Sequence, residues 1–357
     1  MYKRLTTIGA LLVLTLSYWL TSGNTALPRA PYIQGKNKTV LFLVNEEHGL
    51  SNVHIATAFS LLENYPDINL HYASFPRSRK RIERISSFAR AKQPAAKDIT
   101  FHELSGKNFK DTVEEDGGDW LHRVIQPPGI RGINATVTEL QLLFAPWSVE
   151  KHMVLYNEMG ALIDEIDPAV VVLETFFRPA VDVTRDKHRL HAIITPNTLI
   201  DNFQAEQPFG KMFWKYPAFS SGFSYPVPLR NIPENIYLNL RIIYSAVMTP
   251  LLAEKKAAFT EIGLSEPVSL MKLHRSDAPW ITMNTEGASI PVDYTPPNVT
   301  CAGPIVLSSA PAAEQDAEMA KWLKRAPTVL VNLGSLMQVS SNLSFPKLNS
   351  FCIGYDN

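Results

Sequence analysis

The chain has 357 residues, 45% of them hydrophobic and 19% charged, and its 34 basic and 34 acidic side chains leave a formal net charge of zero. That composition excludes a disordered chain and is long enough to bury a sizeable core, while the zero net charge excludes the bulk attraction on which nucleic-acid binders depend. The basic run at 77–84 is short, contains Glu83 and reads as a solvated helix face, and two cysteines, Cys301 and Cys352, form neither a disulfide framework nor a metal pattern.

At the N-terminus Lys3 and Arg4 precede an apolar stretch at 8–20 (IGALLVLTLSYWL) and a polar TSGN. About 13 apolar residues suit the core of a signal peptide, whereas a full span needs about 20. The alternative is an uncleaved anchor, with Tyr18 and Trp19 at the interface. Either form sends the rest of the chain across a membrane, so residues 1–26 are expected to direct it to the secretory pathway, on the lumenal side of the endoplasmic reticulum. Sequons at Asn37, Asn134, Asn298 and Asn342 agree with that route and predict a glycoprotein.

Residues 27–38 read as a linker and 39–290 as a domain. Its opening strand, 40–44, stops at Asn45-Glu46-Glu47-His48-Gly49, and an apolar-periodic helix follows over 52–63. Strands at 68–75 and 99–104 flank a helix at 78–92. A long helical region at 136–165 leads into the continuous apolar run Val170-Val171-Val172-Leu173 and then His191-Ala192-Ile193-Ile194-Thr195-Pro196. Unbroken apolar runs of this kind mark strands covered on both faces, and their alternation with helices predicts an α/β fold with a doubly wound, Rossmann-like parallel sheet. A ligand crevice is then expected at the carboxyl ends of the strands, where residues 45–49 fall. The aromatic stretch at 200–235 reads as core and lid packing, or alternatively as a wall for a hydrophobic ligand. A helix over 236–259 is assigned to the core, because its basic residues make no clean polar face for a membrane surface. Residues 291–326 are rich in Pro and Ser and read as an interdomain linker with a helix at 314–324. A buried strand at 328–333 and Gly334-Ser335 then open a second α/β domain, with too few residues left to complete it.

Three motifs, in order, carry a resemblance. They are VLFLVNEEHGLSNVHIATAFSLL at 40–62, DPAVVVLETFFRPAVDV at 167–183, and PPNVTCAGPI followed by WLKRAPTVLVNLGSLM at 296–337. Together they resemble the UDP-dependent glycosyltransferases that act on small lipophilic acceptors, especially filamentous-fungal members, over about 39–337. The resemblance implies the N-terminal, acceptor-binding half of a two-domain GT-B fold, with residues 327–357 a truncated start of the UDP-sugar domain.

The resemblance also implies roles. A histidine in the first loop is the general base that deprotonates the acceptor hydroxyl as it attacks and inverts the anomeric carbon, and a carboxylate at the end of a neighbouring strand orients it. Glu174 stands where the family has an aspartate. Leu50, not histidine, stands at the family's base position, so the role passes to His48, read as a loop residue at the sheet edge. His54 is the rival, an acceptor-orienting or purely structural His48 the alternatives, and Glu46 and Glu47 are read chiefly as helix-start charges. Gly334 and Ser335 are expected to face the diphosphate, with a plain strand-to-helix turn the alternative. The expected partners are a small lipophilic acceptor, a UDP-sugar as co-substrate, and a membrane through the N-terminal segment. No metal and no other cofactor is implied. This reading is a hexosyltransferase incomplete as a single chain. Its alternatives are a membrane-associated acceptor-binding or scaffold subunit that recruits a separate donor-domain protein, and a nonfunctional remnant.

Overall fold

A computed structural model describes residues 30–115, 126–267, 273–307 and 311–329. The expected targeting segment, the sequon at Asn342, Cys352 and the Gly334-Ser335 turn all lie outside the described residues.

Seven strands form one wholly parallel sheet in the order β3-β2-β1-β4-β5-β6-β7. They are β1 (Lys36–Leu43), β2 (Asn69–Ser74), β3 (Thr100–Glu103), β4 (Pro168–Leu173), β5 (His191–Thr195), β6 (Trp280–Thr282) and β7 (Val299–Cys301). β1 is interior, paired to β2 on one side and to β4 on the other. The strand order reverses between β1 and β4, the switch point where doubly wound sheets open a crevice. The sheet outruns the expected domain limits at both ends, because β1 begins at Lys36 and β7 lies in the stretch read as linker. β7 is an edge strand of three residues behind Pro296-Pro297, and a strand that short beside prolines carries almost no sequence signal.

Both faces of the sheet are covered, which explains the unbroken apolar runs. On one side α1 (His48–Asn64) and α2 (Arg79–Lys92) bury Val53, Phe59, Leu62, Ile82 and Ile85 against Phe42, Tyr72 and Val172. After α3 (Phe109–Glu115), the expected helical region at 136–165 proves to be two helices, α4 (Ile133–Phe144) and α5 (Val149–Ile166). Pro146 parts them, and Ser148 restarts the second by accepting a hydrogen bond from the Lys151 backbone N–H. α5 and α6 (Arg178–Asp186) cover the other face, burying Leu155, Met159, Ile163, Val181 and Val183 over Leu41, Leu43, Val171 and Leu173.

Beyond β5 come α7 (Leu199–Phe203) and α8 (Lys211–Trp214). Phe203, Phe213 and Tyr216 of the aromatic stretch are fully buried there, while Phe209 and Phe219 face solvent. The expected helix at 236–259 is also two, α9 (Ile232–Met248) and α10 (Pro250–Glu261), divided at Pro250. Its assignment to the core does not hold: α9 turns Tyr237, Leu240, Tyr244, Val247 and Met248 outward. The helix at 314–324 is likewise split, into α11 (Ala312–Gln315) and α12 (Ala317–Leu323).

Candidate functional site

The carboxyl ends of β1 and β4 bring two expected segments together, residues 45–48 and 174–178. Leu43 and Leu173 are register partners, so Val44-Asn45 and Glu174-Thr175 leave the sheet side by side.

His48 is not in a loop at a sheet edge, as expected. It opens α1, just past the carboxyl end of the interior strand β1, and is exposed. Glu47 occupies the N-cap with no side-chain capping bond. Glu46 is buried and turned away from the helix start: its Oε1 accepts from Arg77 Nη1 at 3.3 Å and from Asn108 Nδ2, and Asn108 Nδ2 also donates to Asp111 Oδ2 at 2.9 Å. Glu46 therefore ties the ends of β1, β2 and β3 together, which its reading as a helix-start charge missed. Burial raises the pKa of both Glu46 and Glu47, against the pull of Arg77 on Glu46 and of Lys110 on Glu47.

Glu174 is completely buried. Its Oε1 accepts from the Phe176 backbone N–H at 2.7 Å and from Thr175 Oγ1 at 3.2 Å, while Oε2 has no hydrogen-bond partner. Burial pushes its pKa up to about 7, although those bonds and the Arg178 guanidinium favour the carboxylate; the Glu47 charge adds to the rise. Oε2 keeps the capacity to accept a further hydrogen bond.

His54 is also completely buried, in the second turn of α1. Nδ1 lies 2.9 Å from the Leu50 carbonyl and Nε2 3.3 Å from the Leu173 carbonyl, and the ring stands edge-on to Phe42. Burial takes its pKa down to about 4. Both nitrogens face carbonyls and no approach from solvent exists, so His54 joins α1 to the end of β4 and is badly placed to take a substrate proton.

Arg178, four residues beyond Glu174 and at the start of α6, is buried with its Nε unpartnered and its guanidinium 5.7 Å from the Phe144 ring centre. Sequence reasoning passed over it, although an arginine one helical turn from an intended carboxylate, next to Pro179, was a readable signal. Asn45, another buried residue with an unpartnered Nδ2, gave no such signal.

One helical turn beyond His48, a groove of about 390 Å³ opens between α1 and α2, lined by Asn52, Ile55, Arg81, Phe88, Ile305 and Leu307. Arg81 Nη1 donates to Ser51 Oγ at 3.2 Å across its mouth. Among the described residues no group of three or more His, Cys, Asp or Glu is arranged to hold a metal. Asn298, one expected sequon, is already committed: Nδ2 donates to the carbonyls of Arg275 (2.8 Å) and Ala278 (2.5 Å), and Oδ1 lies 3.0 Å from His274 Nε2. A glycan there would have to break that cluster, whereas Asn37 and Asn134 are exposed.

No family model matches the chain. Over 310 residues it is 29% identical to a glycosyltransferase, sdnJ, of the fungus Sordaria araneosa, matching 85% of this chain and 60% of that protein's length. Among solved structures, it is similar to a UDP-glucosyltransferase from Polygonum tinctorium (16% identical, 83% of this chain and 57% of that one, TM-score 0.40). It is also similar to a transferase from Siraitia grosvenorii solved with UDP (14% identical, 81% and 56%, TM-score 0.38). The strand order β3-β2-β1-β4-β5-β6-β7, wholly parallel, is Rossmann-like in its own right. The resemblance carried by the three motifs agrees with this similarity to a fungal glycosyltransferase, of whose length the chain spans 60%.

Proposed function

We propose that the chain is the acceptor-binding half of an inverting UDP-sugar-dependent hexosyltransferase for small lipophilic hydroxyl acceptors, with His48 as general base and Glu174 as its charge partner. The observation that carries this reading is Glu174: a carboxyl group sealed at the strand-order switch point, beside the start of α1, with Oε2 unused. In the proposed reaction the acceptor hydroxyl gives its proton to the His48 imidazole as its oxygen bonds to the anomeric carbon. The bond from that carbon to the UDP oxygen breaks, and UDP leaves with the bonding pair. Ionised Glu174 stabilises the imidazolium and fixes the ring. Arg178 favours the ionised carboxylate, and His54 holds α1 against β4 so that base and carboxylate keep their spacing. The groove beside His48, apolar with a few polar groups, suits a lipophilic acceptor. The sugar nucleotide would be held mainly by a donor half, with Gly334 and Ser335 at its first turn. An N-terminal targeting segment and the lumenal location remain part of this proposal.

The test is single-turnover transfer from UDP-glucose to a panel of lipophilic phenols, by this chain joined to the donor half of the fungal relative. His48→Ala should lower turnover by roughly 10²–10⁴-fold with little change in acceptor affinity. Unchanged turnover would remove His48 from the mechanism.

A further inference from the structure

α9 is amphipathic in the wrong direction for a soluble helix. Its inward face carries Asn235, Asn239 and Ser245 beside Leu238 and the partly buried Ile242. Asn235 Oδ1 accepts from the Ala218 backbone N–H at 2.7 Å, and its Nδ2 donates to the carbonyls of Phe213 (3.0 Å) and Tyr216 (2.9 Å). Asn239 Nδ2 donates to the Met212 carbonyl at 3.0 Å, and Ser245 Oγ accepts from Gln141 Nε2 at 2.9 Å. The outward face repeats apolar side chains at Tyr237, Leu240, Tyr244 and Val247, one helical stripe, with Met248 alongside. Tyr244 is 59% exposed and Met248 62%. Leu229 just ahead of the helix is exposed too, as is Leu251 just after it.

We propose that this outward face is a lipid-docking surface, on which α9 lies flat in the headgroup boundary of a bilayer. By length and composition 229–261 could cross a membrane, but crossing would strip Asn235, Asn239 and Ser245 from the partners just named, and each buried polar group left unpaired is costly. Lying flat keeps every one of those bonds and covers the apolar stripe. Two tyrosines within the stripe suit a boundary that is apolar on one side and wet on the other. A second copy of the chain fits less well: one helix of 17 residues offers a strip on the order of a few hundred Å², below the roughly 800 Å² per partner of a specific interface. Charges on and around the stripe are mixed, Arg230, Arg241, Lys255 and Lys256 against Glu234, Glu254 and Glu261, so docking should depend on apolar insertion and only weakly on lipid charge. None of this rests on the transfer reaction.

The test uses the full chain with phosphatidylcholine vesicles, so that an N-terminal attachment alone cannot give the signal. Nitroxide labels are placed at Tyr244→Cys or Val247→Cys with Cys301 and Cys352 replaced by serine, and at Tyr65→Cys, beyond the far end of α1, as control. Docking predicts that with vesicles the labels at 244 and 247 become oxygen-accessible and at least about tenfold better shielded from an aqueous nickel chelate than the label at 65. Leu240→Glu with Val247→Glu should return a label at 244 to the control value while the far-ultraviolet dichroism stays native. Adding phosphatidylserine should change little. Labels at 244 and 247 as aqueous as the control would overturn the proposal. So would shielding that is present without vesicles and grows with protein concentration, which would identify a second copy as the cover.

Discussion

α1 and α9 have the same length, 17 residues, yet solve burial in opposite ways. α1 lies on a sheet whose strands pair with one another, so chiefly apolar side chains face it: Val53, Phe59 and Leu62 go inward, and the buried polar His54 is held by two carbonyls. α9 lies on the irregular segment 212–218, whose carbonyls and N–H groups have no ladder, so asparagine goes inward beside Leu238 to satisfy them and a stripe of apolar side chains is left outside. Which face of a helix is buried depends on what its partner lacks.

The comparison can be broken most severely in α1. Phe59→Ala removes a fully packed ring and should cost about 3–5 kcal/mol of unfolding free energy, read as a lower denaturant midpoint. Leucine at the same site should recover most of it.

His54 gives the next largest effect, through pH. Its pKa is lowered in the folded chain, so the folded state binds fewer protons than the unfolded one. Stability is full above the unfolded value near 6.5 and is lost as pH falls toward about 4, by up to roughly 3 kcal/mol. His191, depressed to about 4 by burial, acts in the same window. Glu174 opposes them: with its pKa raised to about 7, its contribution weakens as pH rises from about 4.5 to 7. Urea titrations at stepped pH should therefore show an acid loss that His54→Gln reduces and Glu174→Gln deepens. An unchanged pH slope in His54→Gln would mean that the ring is not buried as described.

In α9, Asn235→Leu should cost about 2–3 kcal/mol although it adds apolar character to a buried position, because it orphans the carbonyls of Phe213 and Tyr216 and the N–H of Ala218. If that substitution stabilises the chain, the inward polar face is not what fixes α9. Smallest of all, Tyr244→Ser should change stability in solution by no more than about 0.5 kcal/mol, since it lies outward and exposed.

Much of the sheet was legible because both-face burial leaves continuous apolar runs: β1, β2, β4 and β5 stand within a few residues of where those runs place them. β7 was not legible, being three residues whose only support is β6. α9 misled for a physical reason. Periodicity reports that a helix has an apolar face and assumes that this face goes inward, and it cannot see the carbonyls at 212–216 that need partners, 19 or more residues earlier. At the site, Glu174 was readable as a carboxylate ending a buried strand. The separation of His48 from His54 was not, because both precede or enter the same helix, and only the three-dimensional path of β4 puts the Leu173 carbonyl against the second ring.

The sheet order also sets a timetable. Val40 pairs with Val170, about 130 residues along the chain, and that single ladder is what brings residues 45–48 beside Glu174. Loops of that span close slowly, whereas α1 and the β1–β2 pairing are local and form early. The candidate site should therefore be absent from every early folding species and emerge only when the two halves of the sheet join. The burial of Glu174 during refolding would then report that one late event, distinct from the earlier growth of helix.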